Sequence, residues 1–428
     1  MAIPCARITN SPPSTTASLV SNSTSDQALK AHEPSYSTEE RRTLPSGEEE
    51  FFFDVKTSDL EVNMGPQHPA THGVMRVLIR CDGELVTGAQ AHLGYLHRCA
   101  EKIGENVEWL QYLPYTDRYD YLAAMNNNLG YSMAVEALMP GFEVPRRATM
   151  LRTICVELNR IASHLVAYGT YGLDIGAITP FLYAFREREW IQSLFEKICG
   201  ARLTYSYIRI GGVFNDAPPG WLTEVGHFCD VFEEKWKEYR DLLALNHIFI
   251  KRTAHVGVIP KDMAIDFGLT GPMLRGSGVD FDLRRDMPYM AYGEAHEAGA
   301  FDVPLGEGEK GELGDCWDRF SVRVQEMMES IKLVRWCLEV IEDGPIIGDV
   351  PKVLKVPPGE AYVGIENPRG ELGHYVHSDG GKIAVRCRVR GPSFTNLSVI
   401  EELMVGTLLA DSVAIIGSTD IVVGETDR

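Results

Sequence analysis

The feature that most limits how this chain can fold is a long run of helical periodicity. From residue 93 to residue 342, apolar side chains recur at steps of three and four. The pattern predicts helices at 93–112, 119–139, 146–168, 181–199, 221–245 and 315–342. Pro145 and Pro180 stand just before the third and fourth of these, where a missing N–H costs nothing. Gly-rich loops such as Arg275-Gly276-Ser277-Gly278 separate the later ones. The period changes at both ends. Val74-Met75-Arg76-Val77-Leu78-Ile79-Arg80 is β-branched and apolar, and Asp82-Gly83 predicts a hairpin turn into Glu84-Leu85-Val86. Residues 373–390 read as a second hairpin, turning at Asp379-Gly380. A last helix, from 399 to about 410, leads into the apolar run Val413-Ala414-Ile415-Ile416. The expected fold is α+β: mainly a helical bundle, with a small N-terminal β-sheet and a C-terminal hairpin.

The first fifty residues are a different material. Twenty of them are Ser, Thr or Pro, and the stretch ends in Gly47-Glu48-Glu49-Glu50. Such a segment buries too little apolar surface to offset its ordering entropy. The expected organisation is a disordered tail over 1–52, a β region over 53–92, a helical core over 93–345 and a hairpin-and-helix region over 346–428. The first 40 residues hold one Arg, one Lys and four acids, unlike the Arg-rich, acid-poor pattern of an organelle import signal. No stretch reaches the ~18 apolar residues of a membrane span, so membrane association is expected to be peripheral. With 41 basic against 60 acidic residues, the chain is poorly suited to wrapping nucleic acid. No two of its nine Cys form a C-x-x-C, so neither a zinc ribbon nor a self-contained iron–sulfur site is expected.

Three groups of residues carry candidate chemistry. His68 and His72 stand four apart, but Pro66 and Pro69 argue for a loop, either a surface turn or a functional one. Tyr121, Met125, Asn128 and Ser132 share one face if the second helix is continuous, a face more polar than a core stripe. It reads either as a wet inter-helix contact or as a cavity wall offering phenol and amide donors. Glu157, Arg160 and His164 share a face of an otherwise apolar helix. An exposed ion-pair stripe is the commoner arrangement and a buried network the other. Asp174 follows among Gly and apolar neighbours, where a His partner would offset the cost of burial. The chain has no G-x-x-x-x-G-K-[ST], G-x-S-x-G or H-E-x-x-H. Those absences disfavour nucleotide-dependent and hydrolytic enzymes.

Taken together, the segments resemble one family. They are Met64-Gly65-Pro66-Gln67-His68-Pro69-Ala70-Thr71-His72-Gly73, Leu96-His97-Arg98, Asp117-Arg118-Tyr119-Asp120-Tyr121, Leu173-Asp174-Ile175-Gly176-Ala177 and Gly200-Ala201-Arg202. Tyr207-Ile208-Arg209, Leu274-Arg275-Gly276-Ser277-Gly278, Gly314-Asp315-Cys316-Trp317-Asp318-Arg319 and Gly424-Glu425-Thr426-Asp427-Arg428 complete the set. Order and spacing from about residue 53 onward resemble the 49-kDa-type (D-type) subunit of respiratory complex I, the NADH:quinone oxidoreductase. That family is similar to the large subunit of nickel–iron hydrogenases with its metal site lost, and the two C-x-x-C pairs of the hydrogenases are absent here.

The resemblance implies roles. His72 and Tyr121 would hydrogen-bond the two quinone carbonyls, with Met125 beside them, and Asp174 would pair with the His. Glu157, Arg160 and His164 would belong to a proton and charge network around the cavity. Arg98 would lie near the last iron–sulfur cluster, which the adjacent subunit holds, so this chain would ligate no metal. Electrons from NADH would arrive through FMN and the clusters. The implied partners are the cluster-bearing B-type subunit, the C-type subunit and the membrane-arm subunits, with no nucleic acid. The chain alone would be inactive. The implied location is peripheral, on the cytoplasmic side of a bacterial inner membrane, with the matrix side of the mitochondrial inner membrane as the alternative. An equivalent subunit fed by ferredoxin or reduced F420, and a non-catalytic scaffold, are the other readings. Many members carry a His after Gly-Ala-Arg-Met; here Thr204 stands there. Thr does not titrate, so the expectation is a lower-potential cluster suited to menaquinone.

Overall fold

The computed structural model describes residues 36–43, 49–55, 60–71 and 73–428. The chain divides into two units, 1–58 and 59–428. In the first, β1 (Tyr36–Thr43) and β2 (Glu49–Val55) pair antiparallel. The expected tail therefore contains a strand pair, and the aromatic run Phe51-Phe52-Phe53 has the β preference to account for it.

The second unit opens with a three-stranded antiparallel meander: β3 (Leu60–Met64), β4 (Arg76–Asp82) and β5 (Leu85–His92). Along β4, Val77, Ile79 and Cys81 are buried and Leu78, Arg80 and Asp82 are not, the two-residue period of a half-buried strand. The expected Asp82-Gly83 turn joins β4 to β5, with Gly83 at φ +61°. The inward face packs against Met404, Ile415 and Ile416 from the far end of the chain.

The helical region departs from expectation at its start. Residues 93–112 form two short helices, α1 (Ala100–Gly104) and α2 (Trp109–Thr116), after an irregular loop. Gly94 (φ +107°) and Cys99 (φ +56°) both take the left-handed conformation that ends a helix, and the Asp427 carboxylate accepts the backbone N–H groups of Gly94 and Leu96. The next helix, α3, runs Ala124–Glu136 and starts later than expected. The Asp120 carboxylate accepts the N–H groups of Leu122 and Ala123 and fixes a turn there instead. The main helices follow closely: α4 (Arg146–Asp174), α5 (Ile178–Cys199), α6 (Trp221–Tyr239) and α7 (Cys316–Val340). Here α4 packs on α5 and α7, and α6 packs on α5 and α7, closing a four-helix ring. At ~1.5 Å per residue, the 29 residues of α4 span roughly 43 Å.

The C-terminal hairpin forms as expected from β7 (Gly370–Ser378) and β8 (Arg386–Arg390). A strand the periodicity did not disclose, β6 (Gly359–Asn367), pairs along the other edge of β7. The expected helix over 399–410 shortens to Ile400–Met404, and Gly406 (φ +81°) follows it. The apolar run Val413–Ile416 is itself helical, within α8 (Asp411–Thr419), and a final buried turn, α9, spans Val423–Asp427. Among the described residues, no helix is long and apolar enough to cross a membrane.

Candidate functional site

The C-terminal segment is the hub on which the separate sequence motifs converge. A methyl group placed on Gly73, at the end of the Gly65–Gly73 loop, would lie 3.2 Å from the Val423 side chain. One on Gly424 would lie 3.2 Å from Arg98 Nη2 and 3.4 Å from the Arg118 carbonyl oxygen. One on Gly417 would lie 3.5 Å from Asp174 Oδ2. At Gly424 a methyl group would overlap the Tyr119 carbonyl oxygen, so glycine is required there. Thus α8 and α9 bring the loop, the segment before Tyr121, Asp174 and Arg98 to one region.

In the loop, His68 Nδ1 accepts the Ala70 N–H at 3.2 Å, and Thr71 Oγ1 donates to the His68 carbonyl at 2.7 Å. The His68 ring thus serves the turn itself. His72 lies outside the described residues.

Tyr121 is not on the helix that its spacing suggested, because α3 begins at Ala124. Its side chain is exposed (36%), whereas Met125, Asn128 and Ser132 are fully buried. The polar face is therefore an inter-helix contact: Asn128 Nδ2 donates to Thr116 Oγ1 at 2.8 Å, and the Met125 N–H donates to Asn159 Oδ1 at 3.0 Å. Met125 sits in the main core beneath the Tyr121 turn and has no open surface of its own. Partial burial, then the nearby Asp120 charge, push the Tyr121 phenol above its ordinary value, with Arg369 and Arg98 opposing. Tyr121 is consequently a protonated hydrogen-bond donor at neutral pH.

Beneath Tyr121 lies a buried ionic cluster. Arg369 Nη1 donates to Asp120 Oδ2 at 2.6 Å, and its Nε donates to the Asp420 carbonyl at 2.9 Å. Glu425 is also fully buried, accepting from the Ser393 N–H at 3.0 Å and from the Ser393 hydroxyl. Burial and then the Asp120 charge raise its carboxyl to about 8. On the other side, Asp117 accepts from the Ser206 N–H (3.1 Å) and hydroxyl (2.9 Å). Burial, partly offset by those bonds, raises Asp117 to about 6.

The Glu157, Arg160 and His164 stripe is buried, contrary to the commoner surface arrangement. Its partners arrive from other elements. Glu157 accepts from Arg160 Nε (3.1 Å), Tyr292 Oη (2.6 Å), Ser330 Oγ (2.7 Å) and Arg284 Nη1 (3.4 Å). His164 Nε2 lies 2.9 Å from Glu326 Oε2, and Arg275 Nη2 donates to Glu326 Oε1 at 2.7 Å. Arg275 also meets Glu366 Oε1 at 2.9 Å, and Arg284 meets Asp282 Oδ2 at 2.7 Å. Burial opposes ionisation of Glu326, but Arg275 and His164 outweigh it and hold the carboxyl well below its usual range. In the same way, Arg160 and Arg284 outweigh burial at Glu157, and Arg284 and Arg275 take Asp282 to about 2. At Glu366, burial wins over Arg275 and the carboxyl rises. Burial also outweighs Glu326 at His164 and lowers its pKa, so the ring is neutral and Nε2–H donates to Glu326. Three guanidinium groups thus face three ionised carboxylates. Arg275, Asp282, Arg284, Glu326 and Glu366 were not singled out as network members in the sequence; the quoted Leu274-Arg275-Gly276 segment was the one available signal.

Arg98 Nη2 donates to the Arg118 carbonyl at 2.6 Å, and its backbone N–H donates to the Arg428 carbonyl at 3.0 Å. Asp174 ends α4 and is half-buried. Among the described residues, no group of three or more His, Cys, Asp or Glu side chains is placed to hold a metal ion.

Comparison with known proteins gives a consistent result. Residues 174–355 and 350–428 match the family described as the respiratory-chain NADH dehydrogenase 49-kDa subunit. The NADH-quinone oxidoreductase D subunit of Chlorobaculum tepidum is 50% identical over 379 residues, covering 88% of this chain and 94% of that protein. The NADH-quinone oxidoreductase D subunit numbered 1 in Anaeromyxobacter sp. (strain K) is 51% identical over 375 residues, covering 88% and 98%. The D subunit of Bacillus cereus is 48% identical over 374 residues, covering 87% and 100%. With a ring of four helices and two three-stranded sheets, the chain belongs to the 49-kDa (D-type) subunit family of the respiratory-chain NADH dehydrogenases.

Proposed function

We propose that this chain forms the quinone-reduction site of a proton-translocating NADH:quinone oxidoreductase, with the quinone headgroup between His72 and Tyr121. Reducing a quinone takes two electrons and two protons, and its oxygens gain negative charge until protonated. Donors aimed at those oxygens stabilise the developing charge. Tyr121 offers such a donor, and an imidazole such as that of His72 can deliver a proton. Asp174 pairs with His72 and balances its charge. Met125, enclosed in the core, contributes by supporting the Tyr121 turn. Glu157, Arg160 and His164 carry the charge network inward. Electrons come from NADH through FMN and iron–sulfur clusters, the last held by the cluster-bearing B-type subunit near Arg98. The C-type subunit and the membrane-arm subunits complete the assembly. The complex sits at the cytoplasmic face of a bacterial inner membrane with this chain peripheral. The names of the relatives favour NADH over ferredoxin or F420 as the electron source.

The observation that carries the reading is an exposed, protonated phenol on a turn fixed by buried charge, beside the C-terminal segment that also meets the His72 loop and Asp174. The test is Tyr121→Phe in the assembled complex. Quinone reduction should fall by roughly ten- to a hundredfold in kcat/KM, the cost of losing a positioned donor. NADH oxidation by ferricyanide, which bypasses the quinone, should be unchanged. Normal quinone turnover would overturn the assignment.

Thr204 favours menaquinone as the substrate, because a non-titrating side chain leaves the adjacent cluster at low potential. A redox titration of that cluster between pH 6 and 8 should show a nearly flat midpoint. A slope of about 59 mV per pH unit, one proton per electron, would count against it.

A further inference from the structure

We infer that Arg369 is a positioning residue for Tyr121, acting through the two oxygens of the Asp120 carboxylate. This rests on the reading of Tyr121 as the quinone's hydrogen-bond donor. Asp120 immediately precedes Tyr121 and is fully buried. Its Oδ1 accepts the N–H groups of Leu122 at 3.0 Å and Ala123 at 3.2 Å, so this one oxygen shapes the turn that presents the phenol. Its Oδ2 is held by Arg369 Nη1 at 2.6 Å. A carboxylate gripped on one edge cannot swing, and its other edge is then aimed at the backbone. Asn127 Nδ2 at the Asp120 carbonyl (3.2 Å) and Asn159 Nδ2 at the Leu122 carbonyl (2.9 Å) hold the carbonyls on either side of Tyr121.

Arg369 is itself held on three sides. It lies on the turn between β6 and β7 and is 1% exposed. Its Nε donates to the Asp420 carbonyl at 2.9 Å, and Asn396 Nδ2 donates to its own carbonyl at 3.0 Å. A methyl group on neighbouring Gly370 would overlap Thr270, so the turn sits directly against that backbone. The guanidinium therefore transmits the position of the C-terminal sheet and of α8 to a phenol that none of these elements carries. Neither the spacing around Tyr121 nor that around Arg369 discloses the link, because 249 residues separate Asp120 from its partner.

The experiment compares Arg369→Met, Arg369→Lys, Tyr121→Phe and the Arg369→Met/Tyr121→Phe double variant in the assembled complex, normalised to NADH:ferricyanide activity. Arg369→Met should lower kcat/KM for quinone by roughly ten- to a hundredfold, the scale of a misplaced contact. Arg369→Lys, which can keep one charged bond to Asp120, should recover most of it. In the double variant, Arg369→Met should add less than about threefold to Tyr121→Phe, because both remove the same interaction. Full multiplication of the two effects, or wild-type turnover in Arg369→Met, would overturn the inference. If Arg369→Met does not assemble, the cycle is run with Arg369→Lys on the same criterion. A silent Tyr121→Phe would sink the quinone-donor reading, whereas an impaired Tyr121→Phe with a normal Arg369→Met would sink only the positioning role.

Discussion

Two buried charge clusters among the described residues are built from the same residue types and differ in balance. In the bundle, Arg160, Arg275 and Arg284 face Glu157, Asp282 and Glu326, whose carboxyls lie below their usual range, while Glu366, also against Arg275, is raised by burial. Each charge has several partners inside a closed helical ring. Beneath Tyr121, Arg369 lies against Asp120 and Asp420, Arg323 also faces Asp420, and the carboxyls of Asp120 and nearby Glu425 are raised, chiefly by burial. The first arrangement holds three of its four carboxyls as ions. The second sits close to exchanging protons, next to an exposed phenol. The contrast sets a mostly ionised cluster inside the helical ring against one whose carboxyls are raised beside an exposed phenol, and perturbed carboxyls gather where proton chemistry occurs.

The largest effect expected from this contrast is at Arg275. Arg275→Met strips the cation from Glu326, Glu366 and Asp282, and breaking a buried pair of this kind costs about 3–5 kcal/mol. The amount of assembled complex should drop sharply, and the remainder should melt at lower temperature. Arg369→Met should do so far less, because Asp120 can take up a proton and shed its charge. Equal losses from the two variants would erase the distinction drawn between the clusters.

A smaller effect, with a definite sign, is expected at Glu425. Its folded value of about 8 is above the ordinary carboxyl value, so the folded state binds this proton more tightly than the unfolded state does. Local stability should therefore fall as pH rises from about 4.5 to 8 and level off above. Hydrogen exchange of 423–428 in the complex, corrected for intrinsic base catalysis, should reveal easier opening over that range. Glu425→Gln, which mimics the protonated acid, should flatten the dependence. Unchanged pH dependence in that variant would place the titration elsewhere.

How much could be read in advance varied with the range of the interactions. The β4–β5 hairpin and helices α4 to α7 follow from period and turn chemistry, because neighbours within a few residues decide them. The expected helix over 93–112 failed because Asp427, more than 300 residues away, takes the N–H groups of Gly94 and Leu96. Tyr121 was placed on a helix by spacing, while the structure puts it on a turn made by Asp120. The Glu157, Arg160 and His164 face was legible, yet its burial was not, because Arg275, Arg284, Glu326 and Glu366 come from distant segments.

By itself, then, the sequence determined the helical core, both hairpins and the family to which the chain belongs, since these rest on local pattern and on the order of motifs. The tertiary structure alone decided which charges are buried and which Arg faces which carboxylate. A charge can leave water only where partners from several elements meet it, and that meeting exists only once the chain has closed on itself.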